Sequence, residues 1–192
     1  MAKLVGTTKD VIDWDPIVDL CAKCTTGDYN SVKTVVDRSE GNWRDNPELL
    51  GSYHDVINTW DEAGYNLDEI QWWDYYPGEH FDIEIQNKFA KIIDAEPLRV
   101  FVSDVAPCNN VPYHWDVEDK EEEWLKLGEL KRWVCFMDKP RWGNVLVLEE
   151  QAFHNVAQGE IWEWDSYRSH HAGTCMGVHH QYLFHFLGRP NK

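Results

Sequence analysis

Apolar positions change their spacing about halfway along the chain. Before residue 97 they recur in places at helical intervals, and the spacing predicts helices over residues 46–63 and 82–95. In the second of these, Ile83, Ile85, Phe89, Ile92 and Ile93 form one apolar stripe. From residue 98 onward the pattern shortens to runs of about half a dozen residues bounded by turn formers, predicting strands over 98–105, 132–137, 144–149, 160–164, 170–175 and 182–187. Gly143, Gly159, Gly173 and Gly188 punctuate these runs. The connections are too short for crossover helices, which excludes an open parallel sheet and leaves an antiparallel sandwich or closed barrel. The expected fold is therefore mainly β with some α. An α-rich half over 1–96 supports a β core over 97–190.

A length of 192 residues suits one complete core, so a single domain over 1–192 is expected. Hydrophobic residues at 43%, with 11 Trp, 8 Tyr and 7 Phe, supply the apolar area that a disordered chain lacks. The formal net charge of −16 repels phosphate backbones and anionic lipid surfaces, which argues against duplex nucleic acid or a membrane as partner. The acidic run from Glu118 to Glu123 reads as a solvated loop or helix face. No stretch of 18 apolar residues and no secretory start is present, and a soluble, cytoplasmic protein is the expectation. Five irregularly spaced cysteines do not form a disulfide framework. Cys21 and Cys24 make one Cys-x-x-Cys pair, but no second pair follows to complete a zinc site, so these read as ordinary thiols.

The chemistry concentrates late in the chain. Val111-Pro-Tyr-His-Trp-Asp-Val117 holds a His-x-Asp unit. In an extended segment residues i and i+2 point the same way, so His114 and Asp116 can present an imidazole and a carboxylate to one ion. A third donor comes from the His170-His171 pair on a later strand. Two imidazoles and one carboxylate leave half of an octahedron open, an arrangement that suits ferrous iron binding a cosubstrate and dioxygen.

Several segments in order carry a resemblance. They are Pro112-Tyr-His-Trp-Asp116, Arg132-Trp-Val-Cys-Phe136, Trp142-Gly-Asn-Val-Leu-Val-Leu148, Gly159-Glu-Ile-Trp-Glu-Trp-Asp165, His170-His-Ala172 and Gln181-Tyr-Leu-Phe-His-Phe-Leu-Gly188. Over about residues 100–189 the chain resembles the 2-oxoglutarate and Fe(II)-dependent oxygenases, in particular short aspartyl/asparaginyl hydroxylase-like and phage-type members. The resemblance implies a double-stranded β-helix, a cupin-like jelly roll, with iron in the mouth of the barrel. It also implies hydroxylation of a C–H bond in a peptidyl or small-molecule substrate with dioxygen and 2-oxoglutarate. Carried over, the iron ligands are His114, Asp116 and His170. Adjacent strand residues face opposite ways, so only one of His170 and His171 reaches the ion. His170 is favoured because it lies five residues after Asp165, with Ala172 in the small position beyond the pair.

One family feature is missing. Members place an arginine about ten residues after the distal histidine to hold the far carboxylate of 2-oxoglutarate, and Gln181 stands there. Arg132 is the expected substitute, with Lys131 on the opposite face and Arg168 a poorer choice. Tyr113, beside the first ligand, is a candidate to contact cosubstrate or substrate. Trp115, Tyr75, Tyr76, Trp142 and Trp164 are candidates to line a cleft, while His154, His179 and His185 read as structural. Two other readings stay open: a cupin-type metal enzyme that does not use 2-oxoglutarate, and a noncatalytic ligand-binding jelly roll.

Overall fold

The computed structural model describes residues 1–23, 27–32, 53–116, 118 and 120–191. Cys24 and most of the segment before Tyr53 lie outside the described residues, so the expected Cys-x-x-Cys pair and the start of the helix expected over 46–63 fall there.

Two antiparallel sheets build the molecule. The larger contains β1 (Lys3–Thr7), β2 (Asp28–Ser31), β3 (Gln71–Tyr75), β4 (Ala95–Val105), β6 (Lys131–Phe136), β9 (Glu160–Glu163) and β11 (Gln181–Pro190), in the order β1-β9-β6-β11-β4-β3-β2. The smaller has β5 (Asn109–His114), β7 (Asn144–Leu148), β8 (Gln151–Phe153) and β10 (His171–Cys175), in the order β5-β10-β7-β8. This is a double-stranded β-helix, as expected. The first half contributes more than helices, because β1, β2 and β3 extend the large sheet at both edges. Their short sequences, such as Lys3-Leu-Val-Gly-Thr7, lack a strict alternation and gave no strand signal.

Period-two alternation sorts the large sheet into two faces. Val100 and Val102 of β4, Phe184 and Phe186 of β11, and Trp133 and Cys135 of β6 form one core with Ile17 and Cys21 of α1 (Asp15–Ala22) and Phe89 of α3 (Ile83–Ile93). Phe89 packs its ring 4.8 Å from Phe184 and 5.4 Å from Phe186. Burying one such side chain contributes about 1.5–3 kcal/mol. Asp82 caps α3 by accepting from the Glu84 amide at 2.9 Å, and the helix ends where Asp94 turns left-handed at φ 52°.

The other face looks toward the small sheet. Val134 and Leu183 pack there against Leu146, Leu148, Phe153 and Trp164. Strand β11 is thus covered on both sides, which explains its nearly continuous apolar run. Gly143 and Gly159 occupy turns with positive φ, as their spacing suggested, whereas Gly173 and Gly188 fall at irregularities inside β10 and β11. Helix α2 (His54–Glu62) closes one side of the space between the sheets. Its Val56, Ile57 and Trp60 pack with Val32 and Ile70, and Val111 and Trp115 lean on that cluster. Helix α4 (Glu121–Leu127) follows the His-x-Asp segment. Among the described residues no helix is long and apolar enough to cross a membrane.

Candidate metal centre

Strand β5 is an edge strand, which tolerates Pro112 within it. It delivers His114 at its end, and the chain stays open enough for Asp116 to turn to the same side. Strand β10 runs antiparallel beside it and places His171 opposite His114, with a register shift before Gly173. The ligand atoms of His114, Asp116 and His171 all lie within 4.8 Å of one another. His114 Nε2 is 3.5 Å from Asp116 Oδ1, and His171 Nε2 is 3.7 Å from Oδ2.

Both imidazoles are held by their other nitrogen. His114 Nδ1 bonds the Pro112 carbonyl at 2.6 Å, and His171 Nδ1 bonds the Ser169 carbonyl at 3.2 Å. A carbonyl only accepts, so each Nδ1 carries a proton and each ring turns its Nε2 toward Asp116. Burial, followed by the nearby His114, depresses the His171 pKa well below the usual range and keeps that ring neutral. Burial would raise the Asp116 carboxyl, yet the Arg132 guanidinium and then His171 and His114 hold it well below the ordinary carboxylate range. The group therefore brings two tethered imidazole Nε2 atoms and one carboxylate together.

His170, the distal ligand expected from the sequence, is not part of this group. Its side chain points to the opposite side of β10 from His171, is 44% exposed, stacks on Tyr113 at 5.3 Å and meets Trp115 edge-on. Its amide donates to Glu149 Oε1 at 2.8 Å. The physical reason is parity: the His171–His114 pairing decides which of the two neighbours faces inward. Tyr113 shares that outer surface, with its hydroxyl on Glu149 at 3.3 Å.

Arg132 is 1% exposed and lies behind the site. It ion-pairs with Asp116 through Nη1 and with Glu118 Oε1 through Nη2 at 2.8 Å, and its guanidinium sits 5.2 Å from the Trp164 ring centroid. Lys131 faces the other way, to Glu163, as expected. Glu118 was read as part of a solvated acidic run, but it is buried and also accepts from Arg99 Nη1 at 2.9 Å. Gln181 is buried with its Oε1 beside Gly173 and does not itself line the cavity described next.

A cavity of about 250 Å³ opens beside the three donors, between the sheets and under α2. Trp60, Trp72, Phe101 and Leu146 supply apolar wall; Asp74, Tyr76, Arg99, Ser103 and His185 supply the polar groups. Arg99, Phe101 and Ser103 share a face of β4 by their two-residue spacing. Phe101 stacks on His185 at 4.8 Å, and His185 Nε2 bonds Ser103 Oγ at 2.9 Å. Burial lowers the His185 pKa to about 3, which leaves that ring neutral. Of the aromatic residues singled out, Tyr76 and Trp115 line the cavity, Tyr75 is core, Trp142 is 97% exposed and Trp164 backs Arg132. Sequence reasoning missed Arg99 and Asp74. The available signal was a charged residue within an aromatic or apolar strand run, at a position sharing the inward parity.

A second group, Asp28, Glu79 and His80, also brings three donors together. There His80 Nδ1 accepts the Tyr76 amide at 2.9 Å, which leaves the proton on Nε2 and removes the lone pair a metal would need.

No family model matches the sequence, and no curated protein matches it. Among solved structures, the chain is similar to an oxidoreductase of the 2OG-Fe(II) oxygenase family from Burkholderia pseudomallei, at 12% identity over 79% of this chain and 93% of that one, with a TM-score of 0.47. It is similar to a viral collagen prolyl hydroxylase from Paramecium Bursaria Chlorella virus-1, at 13% identity over 88% and 98% of the two chains and a TM-score of 0.43. A prolyl-4-hydroxylase from Pseudomonas putida gives 11% identity, 93% and 100% coverage and a TM-score of 0.41. At such identities the chemistry has to be argued from the site's own residues.

Proposed function

We propose that this protein is a non-haem Fe(II) and 2-oxoglutarate-dependent dioxygenase that hydroxylates a C–H bond of a small molecule or a peptidyl side chain. One observation carries this reading: His114 and His171 each turn the Nε2 of a tethered ring toward the Asp116 carboxylate, on the wall of a cavity. The residues fit the metal, since two neutral imidazoles and a carboxylate are the donor set that leaves coordination positions open on ferrous iron. Bound there, Fe(II) would supply a place for the keto acid of 2-oxoglutarate and for dioxygen to meet.

The remaining roles belong to the chain. His114, Asp116 and His171 would hold the iron. Arg132 keeps Asp116 ionised and fixes its orientation, so it serves the metal ligand and not the cosubstrate. Gln181 does not line the cavity, and Tyr113 is on the outer surface. Arg99 is the cavity's cation. Glu118 holds one of its nitrogens, and its other donors are the group available to take the far carboxylate of 2-oxoglutarate.

A second reading, a cupin-type enzyme that uses the same metal without 2-oxoglutarate, draws on Gln181 standing where an arginine would be. One titration separates the two. Fe(II) is added anaerobically to metal-free protein, then 2-oxoglutarate, and the visible charge-transfer band of the chelate is followed. The band is expected in the unaltered protein, absent in His171→Ala, and shifted to about tenfold to hundredfold higher cosubstrate in Arg99→Gln. Iron binding with no band at any concentration favours the cupin-type enzyme; no iron binding sinks both.

A further inference from the structure

The cavity that holds the metal donors is also lined by one carboxylate, Asp74, that neither metal binding nor cosubstrate binding uses. Asp74 on β3 is only 5% exposed. Its Oδ2 accepts from Asn30 Nδ2 at 3.0 Å and from Trp72 Nε1 at 3.3 Å, while its Oδ1 is buried without a hydrogen-bond partner among the described residues. No ion pair within 4 Å is made by it among those residues; the Arg99 guanidinium acts on it from further off and makes its close pair with Glu118. A buried carboxylate oxygen left unpaired is costly, and native structures keep such groups rare unless a ligand or water completes them. Trp72 touches it, and Trp60, Tyr76 and Trp115 line the same cavity. Indole and phenol faces attract a cation that has shed its water, and they give an anion or a neutral polar head no comparable gain.

We infer that Asp74 is the specificity residue of this cavity, accepting a protonated amine or guanidinium group of the substrate through its unpaired oxygen. The cation docks against Asp74 and the aromatic walls, and the apolar part of the molecule extends toward His114, Asp116 and His171. A formal net charge of −16 on the whole chain draws such a molecule in and repels anionic competitors. Calling it the substrate rests on the oxygenase reading. The recognition of a cation does not, because Asp74 is no part of the metal donor set.

Binding of n-pentylammonium, n-pentanol and n-pentanoate to the full chain, followed by tryptophan fluorescence and by calorimetry, tests this. Both metal-free and Zn(II)-loaded protein are used. The ammonium should bind about tenfold or more tighter than the alcohol, while pentanoate, which Arg99 can take, reports on that cation separately. Asp74→Asn should erase the ammonium preference, whereas exposed Asp68→Asn should keep it. If Asp74→Asn does not fold, Asp74→Glu and the ranking of ammonium against alcohol on the unaltered protein still decide. Equal affinity for the ammonium and the alcohol, no binding of the ammonium, or a preference that survives Asp74→Asn would each overturn the inference. The iron and 2-oxoglutarate band reports separately: a band without cation selectivity sinks this inference alone, and cation selectivity without a band sinks the oxygenase reading alone.

Discussion

His171 and His114 are cross-strand partners in the small sheet, and their rings lie 4.3 Å apart with both Nε2 atoms turned to Asp116. A pair placed by strand register is rigid before any metal arrives, which is what an iron site needs from its scaffold. It also distinguishes two neighbouring histidines sharply. Losing partners outside the ligand set already weakens metal sites by about 10–100-fold, so His171→Ala should weaken Fe(II) binding by about 100-fold or more. His170→Ala should leave it within a few-fold. Anaerobic equilibrium dialysis with Fe(II) checks both, and equal losses in the two variants would remove His171 from the site.

Behind the donors, Arg132 is committed to two carboxylates, Asp116 and Glu118. Arg132→Met keeps the volume, strips Asp116 of its cation and leaves Glu118 with Arg99 alone. Breaking a buried pair in this way is destabilising by about 3–5 kcal/mol, so the midpoint of urea unfolding should fall steeply. Replacing Lys131 by Met, where the partner Glu163 is solvent-accessible, should change stability by less than about 1 kcal/mol.

Burial raises the Asp74 carboxyl from 3.8 to about 7. In the pH range between those values the native chain keeps a proton there that the unfolded chain has lost, so stability falls as pH rises through the window and levels off above about 7. Asp74→Asn removes this dependence. Unfolding measured across pH 4–8 should show the variant gaining on the unaltered protein as pH rises, by roughly 4 kcal/mol at most. Asp104, raised to about 6 chiefly by burial, slopes the same way in both proteins and cancels in the difference. A difference that does not vary with pH would contradict the assignment.

Gly143 combines a φ of +90° with a close approach, since a Cβ there would sit 2.3 Å from the Gly177 amide nitrogen. Gly64 has a φ of +81° and nothing within 4 Å of that position. Both alanine variants incur left-handed strain of about 1–2 kcal/mol, and only Gly143→Ala adds a backbone clash. Thermal unfolding should therefore rank Gly143→Ala well below Gly64→Ala. Equal midpoints would mean that the loops at Gly143 and Gly177 separate freely.

Reading the chain alone went a long way where chemistry depends on local spacing. The helix expected over 82–95 is observed as Ile83–Ile93, because its apolar stripe and the Asp82 cap are written in neighbouring residues. The six strands expected after residue 97 are all present to within a few residues, since alternation and turn glycines are equally local. His114 and Asp116 follow from a two-residue spacing in an extended segment. What depended on strand register could not be read this way. His170 and His171 are equivalent in composition and differ only in which one meets His114 across β5 and β10, a matter settled by pairing energy summed over the small sheet. The same holds for Glu118. In sequence it belongs to an acidic run, and only packing brings Arg99 from β4 and Arg132 from β6 to its two oxygens, burying an acid that would otherwise be solvated. Charged side chains take their role from the partners the fold delivers, and those partners are distant along the chain.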